Sequence, residues 1–190
     1  MSLARVSRAG ASRMCGRRHG LQSLCVVVAL LISPFCLGRT VDPVYQIKAS
    51  YIYNILQFVE FPRLATQAQA VVNVCVLGED RFGAALDEID SASSPSGGIK
   101  VHRLQDNIAA VAQADCHVLY LVDSGLSPER VLASVDPLQV LTIGESPSFR
   151  DAGGLVELFR VGNRVRFRLN QELVNRTSFK MGAQLVQLGM

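Results

Sequence analysis

Beyond residue 38, the residue types in this sequence that could hold a metal ion most tightly are Cys75, His102, Cys116 and His117. Thiolates and imidazoles are preferred ligands of zinc, and structural zinc sites usually present them in C-x₂-C or H-x₃-H spacing. No two of these four residues are separated by either of these spacings. Adjacent residues of a strand also point to opposite faces, which separates Cys116 from His117. We therefore expect no metal site and no other cofactor.

The two cysteines have a second use, which is to pair with each other. Cys75 and Cys116 each lie in a short apolar run that is typical of a buried strand. In a doubly wound sheet the first and third strands can be neighbours, about 4.8 Å apart, and a disulfide can span that separation. A disulfide is favoured, and two separate buried thiols are the alternative.

Catalytic chemistry has few candidates in this chain. A serine hydrolase presents its nucleophile in a G-x-S-x-G turn, but Gly144-Glu145-Ser146 is followed by Pro147. His117 lies within an apolar run, where a hydrogen-bonded core histidine is more common than a catalytic one. The sequence therefore predicts a binding protein rather than an enzyme.

A phosphate-binding loop would be placed at the segment from Gly78 to Gly83, which follows an apolar run and opens a helical one. The segment lacks the Gly-Lys-Ser/Thr ending of a P-loop and the third glycine of a dinucleotide fingerprint. Glu79 and Asp80 would also repel a phosphate group. A strand-to-helix turn is the better interpretation.

A row of arginines near the C-terminus is the remaining candidate for function. Arg164, Arg166 and Arg168 alternate with apolar residues, so one face of a strand would carry a ladder of guanidinium groups. Such a row is usually a solvated face. Arginine and aromatic side chains on an exposed hairpin are also typical of interface hot spots, which favours partner binding here. The candidate interface consists of Phe149, Arg150, Arg160, Arg164, Arg166 and Arg168.

The elements that must position these residues alternate along the chain. Asp42 and Pro43 are predicted to cap and open a helix. Its apolar stripe is predicted to contain Val44, Ile47, Tyr51, Ile55 and Phe58, and to be widened by Ile52, Leu56 and Val59. Strands are expected over 71–77, 99–104, 116–122 and 140–143, with helical segments at 81–89, 107–114 and after Ser127-Pro128.

The C-terminal region departs from this alternation. Leu155 to Val161 and Arg164 to Leu169 are separated only by Gly162-Asn163, which is a tight-turn signal. A terminal helix is predicted from Gln171 to Met190, with Leu173, Met181, Leu185 and Leu188 packed on the sheet. The fold class is α/β: a three-layer α/β/α sandwich whose mostly parallel sheet ends in an antiparallel hairpin, followed by a terminal helix.

The N-terminus has the order of a secretory signal, with five arginines before an apolar run from Leu24 to Leu37. Residues 1–38 are therefore predicted to be a signal peptide that is cleaved near residue 38, and residues 39–190 to form one exported domain. Removal of the five arginines leaves 14 of the 19 basic residues against 16 acidic ones, a net charge of −2. The basicity belongs to the signal, so nucleic acid is not an expected partner.

The first helix and the hairpin carry a resemblance to a known family. Residues 47–62 resemble the opening signature of the YfiR family, with its Lys-Ala, Tyr-Asn and Phe-Val-Glu-aromatic-Pro elements. The blocks 74–78, 116–120, 140–144, Phe149, 153–154 and 165–170 follow in the order of the family pattern. The resemblance covers nearly all of the predicted mature chain.

This resemblance implies a periplasmic α/β/α domain that is commonly dimeric and has no known catalysis. The best-understood relatives bind the periplasmic sensory domain of an inner-membrane diguanylate cyclase and hold it inactive, until an outer-membrane lipoprotein with a peptidoglycan-binding domain sequesters them. Cys75 and Cys116 match the family's position for one disulfide. A second disulfide of relatives would need cysteines in the segment 145–152, where this chain has none.

The leading hypothesis is therefore inhibition of a diguanylate cyclase by protein–protein contact. A sensor kinase is an alternative target. A periplasmic carrier of a small ligand is an alternative of another class, because doubly wound folds bind ligands at the carboxyl ends of their strands. A carrier would depend on the segment from Gly78 to Phe82, whereas an inhibitor would depend on the hairpin.

Overall fold

A computed structural model describes residues 42–122 and 125–189 of the 190-residue chain. The predicted signal peptide lies outside the described residues. The helices are α1 (Pro43–Gln57), α2 (Ala84–Asp87), α3 (Ile108–Gln113), α4 (Pro128–Leu132), α5 (Gln171–Val174) and α6 (Ala183–Leu188). The strands are β1 (Val59–Glu60), β2 (Val71–Leu77), β3 (Ser93–Ser94), β4 (Gly97–Leu104), β5 (Val118–Leu121), β6 (Leu141–Gly144), β7 (Val156–Val161), β8 (Arg164–Leu169) and β9 (Lys180–Met181).

The main sheet has seven strands in the order β3-β4-β2-β5-β6-β7-β8. The five strands from β4 to β7 pair in parallel, and β3 and β8 add antiparallel edges. The parallel strands follow the doubly wound order 2-1-3-4-5, so β2 and β5 flank the point where the strand order reverses. The predicted mostly parallel sheet with a C-terminal hairpin is confirmed.

Alternating side chains of the central strands enter two cores, one on each face of the sheet. On one face Val74 and Tyr120 pack with residues of α1, α2 and α6. On the other face Cys75 and Leu119 pack with residues of α3 and α4. Since helices cover both faces, the apolar runs of β2 and β5 are buried on both sides, and the predicted α/β/α sandwich is confirmed.

Helix α1 begins as predicted but is rotated about its axis relative to the prediction. The Asp42 carboxylate accepts a hydrogen bond from the Val44 N–H at 2.9 Å, and Pro43 occupies the first turn. Ile47 and Phe58, however, are 44% and 43% exposed. The buried face instead contains Tyr45, Lys48, Ala49, Ile52, Ile55 and Leu56. The prediction was right for Ile52, Ile55 and Leu56 and wrong for Ile47 and Phe58. The sequence pattern also left Lys48 out of the buried face.

The predicted helix over 171–190 was also wrong, because two short helices flank strand β9 there. Strand β9 pairs with β1 in antiparallel register, Val59 opposite Met181, and the Ser178 N–H donates to the Leu138 carbonyl at 3.0 Å. These long-range hydrogen bonds compete with helical ones. Leu188, which was expected in the core, is 74% exposed.

The predicted helix over 81–89 is shorter than expected and occupies only Ala84–Asp87. The Asp80 carboxylate accepts from the N–H groups of Phe82 and Gly83 at 2.9 and 3.1 Å and pairs with Arg103 at 2.7 Å. These contacts hold the segment before α2 in a turn. The preference for a turn over a phosphate-binding loop agrees with this use of Asp80.

Candidate functional site

The hairpin of β7 and β8 divides the predicted arginines between its two faces. Arg164, Arg166 and Arg168 lie opposite Val161, Phe159 and Glu157, and therefore on the same face as those residues. Arg160 lies opposite Val165 and projects on the other face. Arg160, Arg164 and Arg166 are exposed, and none of the three makes an ion pair with another described residue.

Arg168 differs from the other arginines because its charge is already used within the fold. Its guanidinium donates two hydrogen bonds of 2.8 Å to Glu157, whose side chain is 1% exposed, and lies 4.9 Å from the centre of the Phe159 ring. The bidentate pair raises the pKa of Arg168 and balances a buried carboxylate. Its structural role is therefore to neutralise Glu157.

Phe149 does not belong to the exposed surface that the sequence predicted. Its ring is 1% exposed and packs in the second core. It lies between Gly144 and Gly154, where an added Cβ would come within 2.2 and 2.1 Å of ring atoms. Two glycines, one at the end of β6 and one just before β7, thus make room for the ring. Arg150 next to it is half-buried, and its carbonyl accepts a 3.5 Å hydrogen bond from Asn170.

The structure also contains a buried ionic cluster that sequence reasoning missed. Lys48 of α1 pairs with Glu145, the residue after β6, and these side chains are 9% and 10% exposed. The Tyr120 hydroxyl donates to Glu145 at 2.6 Å, and the Tyr45 hydroxyl donates to it at 3.2 Å. The cluster lies at the carboxyl ends of β5 and β6, beside the point where the strand order reverses.

Burial and the charge of Glu145 keep both tyrosines of the cluster neutral. Burial first, and the carboxylate second, raise the pKa of Tyr45 to about 12 and that of Tyr120 well above its usual value. The rings of Tyr45 and Tyr120 each meet Phe82 edge to face, with centroids 5.0 Å apart. The cluster therefore fixes α1 to the sheet with ionic, hydrogen-bonding and aromatic contacts. In the sequence, the one sign of this cluster was Lys48, which lies at helical spacing between Tyr45 and Ile52 and therefore on the same face of α1.

Cys75 and Cys116 form a disulfide, with their Cα atoms 5.7 Å apart, so the pairing is confirmed and the alternative of two separate thiols was wrong. Cys116 lies two residues before β5 rather than within it. Cys75 is 1% exposed in the second core. The bond therefore ties the two central strands together on the face covered by α3 and α4.

His117 and His102 both contact Asn73 but lie in different environments. The Nδ1 atom of His117, which is buried, accepts a hydrogen bond from the Asn73 N–H at 3.1 Å. The exposed His102 interacts with the Asn73 side chain at 3.2 Å. Within residues 42–122 and 125–189, no three His, Cys, Asp or Glu side chains form a group that could hold a metal ion.

We expect His117 to make the stability of the fold depend on pH. Burial lowers its pKa, the charge of Arg63 lowers it further, and the Asp115 carboxylate opposes them. Because the folded-state pKa is below the unfolded value of about 6.5, the neutral ring stabilises the fold above that pH. This contribution falls as the pH drops below about 6.5 towards the folded-state pKa. Urea unfolding at pH 7.5 and 5.5 measures the loss.

The matched controls for this prediction are substitutions of the two histidines. His117→Gln is expected to reduce the difference in unfolding free energy between the two pH values. His102→Gln, at the exposed histidine, is expected to leave it unchanged. An undiminished difference in His117→Gln would show that another group causes the pH dependence.

In the described part of the chain, no helix is both long and apolar enough to cross a bilayer.

Comparison with known proteins gives a family match and a likeness to solved structures. No curated protein matches the chain. A crystal structure of a conserved domain protein from Vibrio cholerae O1 biovar El Tor strain N16961 is similar, with 12% identity and a TM-score of 0.49. The match covers 77% of this chain and 59% of that one, so this chain spans less than two thirds of its length.

The family match is more extensive, and it agrees with the resemblance in the first helix and the hairpin. A family model described as YfiR/HmsC-like matches residues 45–190, from the first turn of α1 to the end of the chain. That range includes the disulfide, the ionic cluster and the hairpin. The chain therefore belongs to the YfiR/HmsC-like family.

Proposed function

We propose that this protein binds the periplasmic sensory domain of an inner-membrane diguanylate cyclase and holds the enzyme inactive, which lowers cyclic-di-GMP signalling. The observation that carries the proposal is the family match over residues 45–190. Residues 1–38 direct export as a signal peptide in this proposal. An outer-membrane, peptidoglycan-binding lipoprotein releases the cyclase by sequestering the inhibitor, which acts as a homodimer.

The hairpin supports the proposal because it offers charges that the fold does not use. Arg164 and Arg166 are exposed on one face beside Val161, which is 58% exposed. Arg166 lies opposite the half-buried ring of Phe159. Exposed guanidinium groups beside apolar and aromatic surface suit a partner that presents carboxylates around an apolar centre. Phe149 and Arg168 contribute indirectly, by holding the hairpin in place.

Affinity capture from solubilised membranes tests the proposal. The full chain, with a C-terminal tag, is expressed in the organism that encodes it, and the captured proteins are identified by mass spectrometry. We expect recovery of an inner-membrane diguanylate cyclase, and raised cyclic-di-GMP when the gene is deleted. Recovery of a sensor kinase without a cyclase, or unchanged cyclic-di-GMP after deletion, would contradict the proposal.

Arg166→Glu is expected to weaken cyclase binding about tenfold, because it places a carboxylate where the partner's carboxylates would lie. The folded state should be unaffected, since Arg166 is exposed. The binding constant is measured by titration with the purified sensory domain. The control is Arg130→Glu, the same charge reversal at an exposed position of α4. Equal binding by both variants would remove the hairpin from the interface.

A further inference from the structure

A small polar pocket lies at the amino ends of β2 and β5, at the opposite end of the sheet from the ionic cluster. Its volume is about 190 Å³. The lining comes from residues 63–69, from Asn73 of β2, and from Asp115 and His117 just before β5. Most of these side chains are polar, and those of Arg63 and Asp115 are charged. The pocket can therefore hold a ligand mainly by ionic contacts and hydrogen bonds.

The ring of His117 supplies this pocket with a fixed hydrogen-bond donor. The backbone N–H of His117 donates to the Asn73 carbonyl at 3.0 Å, and its Nδ1 atom accepts from the Asn73 N–H at 3.1 Å. Because Nδ1 is the acceptor, the proton of the neutral ring lies on Nε2. The Nε2–H donates to no described residue, although His117 is only 7% exposed. Since buried donors are normally paired, its acceptor must come from the pocket.

The two charged side chains of the pocket are not paired with each other or with another described residue. Arg63 donates to the Gln139 side chain at 3.1 Å, which orients its guanidinium group. The Asp115 carbonyl accepts from the Asn73 amide at 2.9 Å, which holds the backbone beside the pocket. Burial lowers the pKa of His117, Asp115 raises that pKa, and Arg63 lowers it. A positive and a negative group therefore both lie near the ring without neutralising each other.

The segment that carries Arg63 is anchored to the fold on both sides of that residue. The Leu64 N–H donates to the Phe61 carbonyl at 2.9 Å, and the Gln67 N–H donates to the Leu64 carbonyl at 3.0 Å. Phe61 and Leu64 are buried, and the Phe61 ring meets the His117 ring edge to face with centroids 6.1 Å apart. Both sides of the pocket are thus positioned before a ligand arrives, which reduces the cost of binding.

We propose that this pocket binds a small zwitterion, an amino acid of about the size of alanine. The ligand carboxylate accepts from the Nε2–H of His117 and from Arg63, and the ligand ammonium group donates to Asp115. An inorganic anion is repelled by Asp115 and a simple cation by Arg63, whereas a zwitterion is attracted by both. Drug-sized ligands occupy pockets of about 300–1,000 Å³, so this smaller pocket leaves room only for a short side chain.

The inference adds a ligand site to the proposed function and does not depend on it. The pocket shares no residue with the hairpin of β7 and β8. It also lies away from the carboxyl ends of the strands, where a ligand carrier of this fold class was expected to bind.

Nuclear magnetic resonance of the histidine rings tests the proposal. The full chain is expressed with ¹⁵N-labelled histidine, purified after export and titrated with L-alanine, glycine and L-serine. His102 and His117 are the only histidines beyond residue 38, so their ring signals can be assigned with one substitution. We expect a saturable shift of the His117 signals that is larger than any shift of the His102 signals.

Substitutions at the two charges locate the ligand. Arg63→Gln and Asp115→Asn should each raise the alanine dissociation constant at least tenfold. Both residues are exposed, so thermal unfolding should be unchanged. The matched controls are Arg130→Gln on α4 and Asp106→Asn after β4, which remove exposed charges elsewhere and should leave the constant unchanged.

Analogues that lack one charge test the class of ligand. N-acetylalanine has no ammonium group and alanine methyl ester has no carboxylate, so each should bind at least tenfold more weakly than alanine. No saturable shift of the His117 signals by any of the three amino acids up to about 10 mM would overturn the site. Equal binding of N-acetylalanine would overturn the zwitterion, and alanine binding that survives both substitutions would overturn the location. The affinity capture of a cyclase is unaffected by these results, so the two proposals fail separately.

Discussion

Replacement of Cys75 and Cys116 together by alanine is expected to lower the free energy of unfolding by about 4 kcal/mol. The disulfide joins residues that are 41 positions apart, so the unfolded chain loses the entropy of a long loop when the bond is present. Cys75 is also packed in the second core with Leu77 and Leu119, and its truncation leaves a small void. Urea unfolding of both proteins, followed by circular dichroism, measures the difference.

The reduced wild-type protein is the matched control for this prediction. With dithiothreitol, its unfolding midpoint should move towards that of the double variant, while the variant itself should not respond. Because the double variant has no cysteine beyond residue 38, a response of the variant to reductant would point to an effect other than this bond. Equal stability of the oxidised wild type and the variant would show that the bond adds nothing to the fold.

The elements that local sequence specifies well are the central strands and the hairpin. Residues 74–77 of β2 and all of β5 and β6 are buried on both faces, as apolar runs rich in Val, Leu and Ile predict. The hairpin turn also follows from local chemistry. Gly162 has a φ of 59°, a conformation that glycine adopts without strain and most residues do not.

The elements that the sequence did not predict depend on partners far along the chain. The rotation of α1 depends on Glu145, which is 97 residues from Lys48. Strand β9 depends on β1, more than 100 residues away. Periodicity ranks residues by hydrophobicity, so it placed Ile47 inside and left Lys48 out. Since a paired lysine can be buried and an isoleucine left exposed, the rotation of such a helix is not decided by its own residues.

The candidate site also contains some features that the local sequence predicted and others that depend on contacts between distant segments. The alternation along β8 correctly separated the side chains of Val165 and Leu169 from those of Arg164 and Arg166. It could not show that Arg168 is held by Glu157, because that pair forms only when β7 and β8 are in register. The burial of Phe149 needed Gly144 and Gly154 on either side of its ring. Both corrections come from contacts between segments rather than from residue types.

Lys48→Met is expected to lower the free energy of unfolding by about 3–5 kcal/mol, the usual cost of leaving one charge of a buried ion pair without its partner. Glu145 would keep only the hydroxyl groups of Tyr45 and Tyr120. Urea unfolding at neutral pH measures the change. The matched control is Lys100→Met, which breaks the pair with Asp90 at the surface, where Lys100 is 52% exposed. Exposed pairs contribute little, so the control should lose much less stability.

The double variant Lys48→Met with Glu145→Gln separates the cost of an unpaired charge from the value of the pair. The glutamine keeps an oxygen that can accept from Tyr120 but has no charge to balance, so the double variant should be more stable than Lys48→Met alone. The coupling free energy follows from the four proteins of the cycle. If Lys48→Met cost no more than Lys100→Met, the cluster would not be what fixes the rotation of α1. The exposure of Ile47 and Phe58 would then have to arise from the apolar contacts of Ile52 and Leu56 alone.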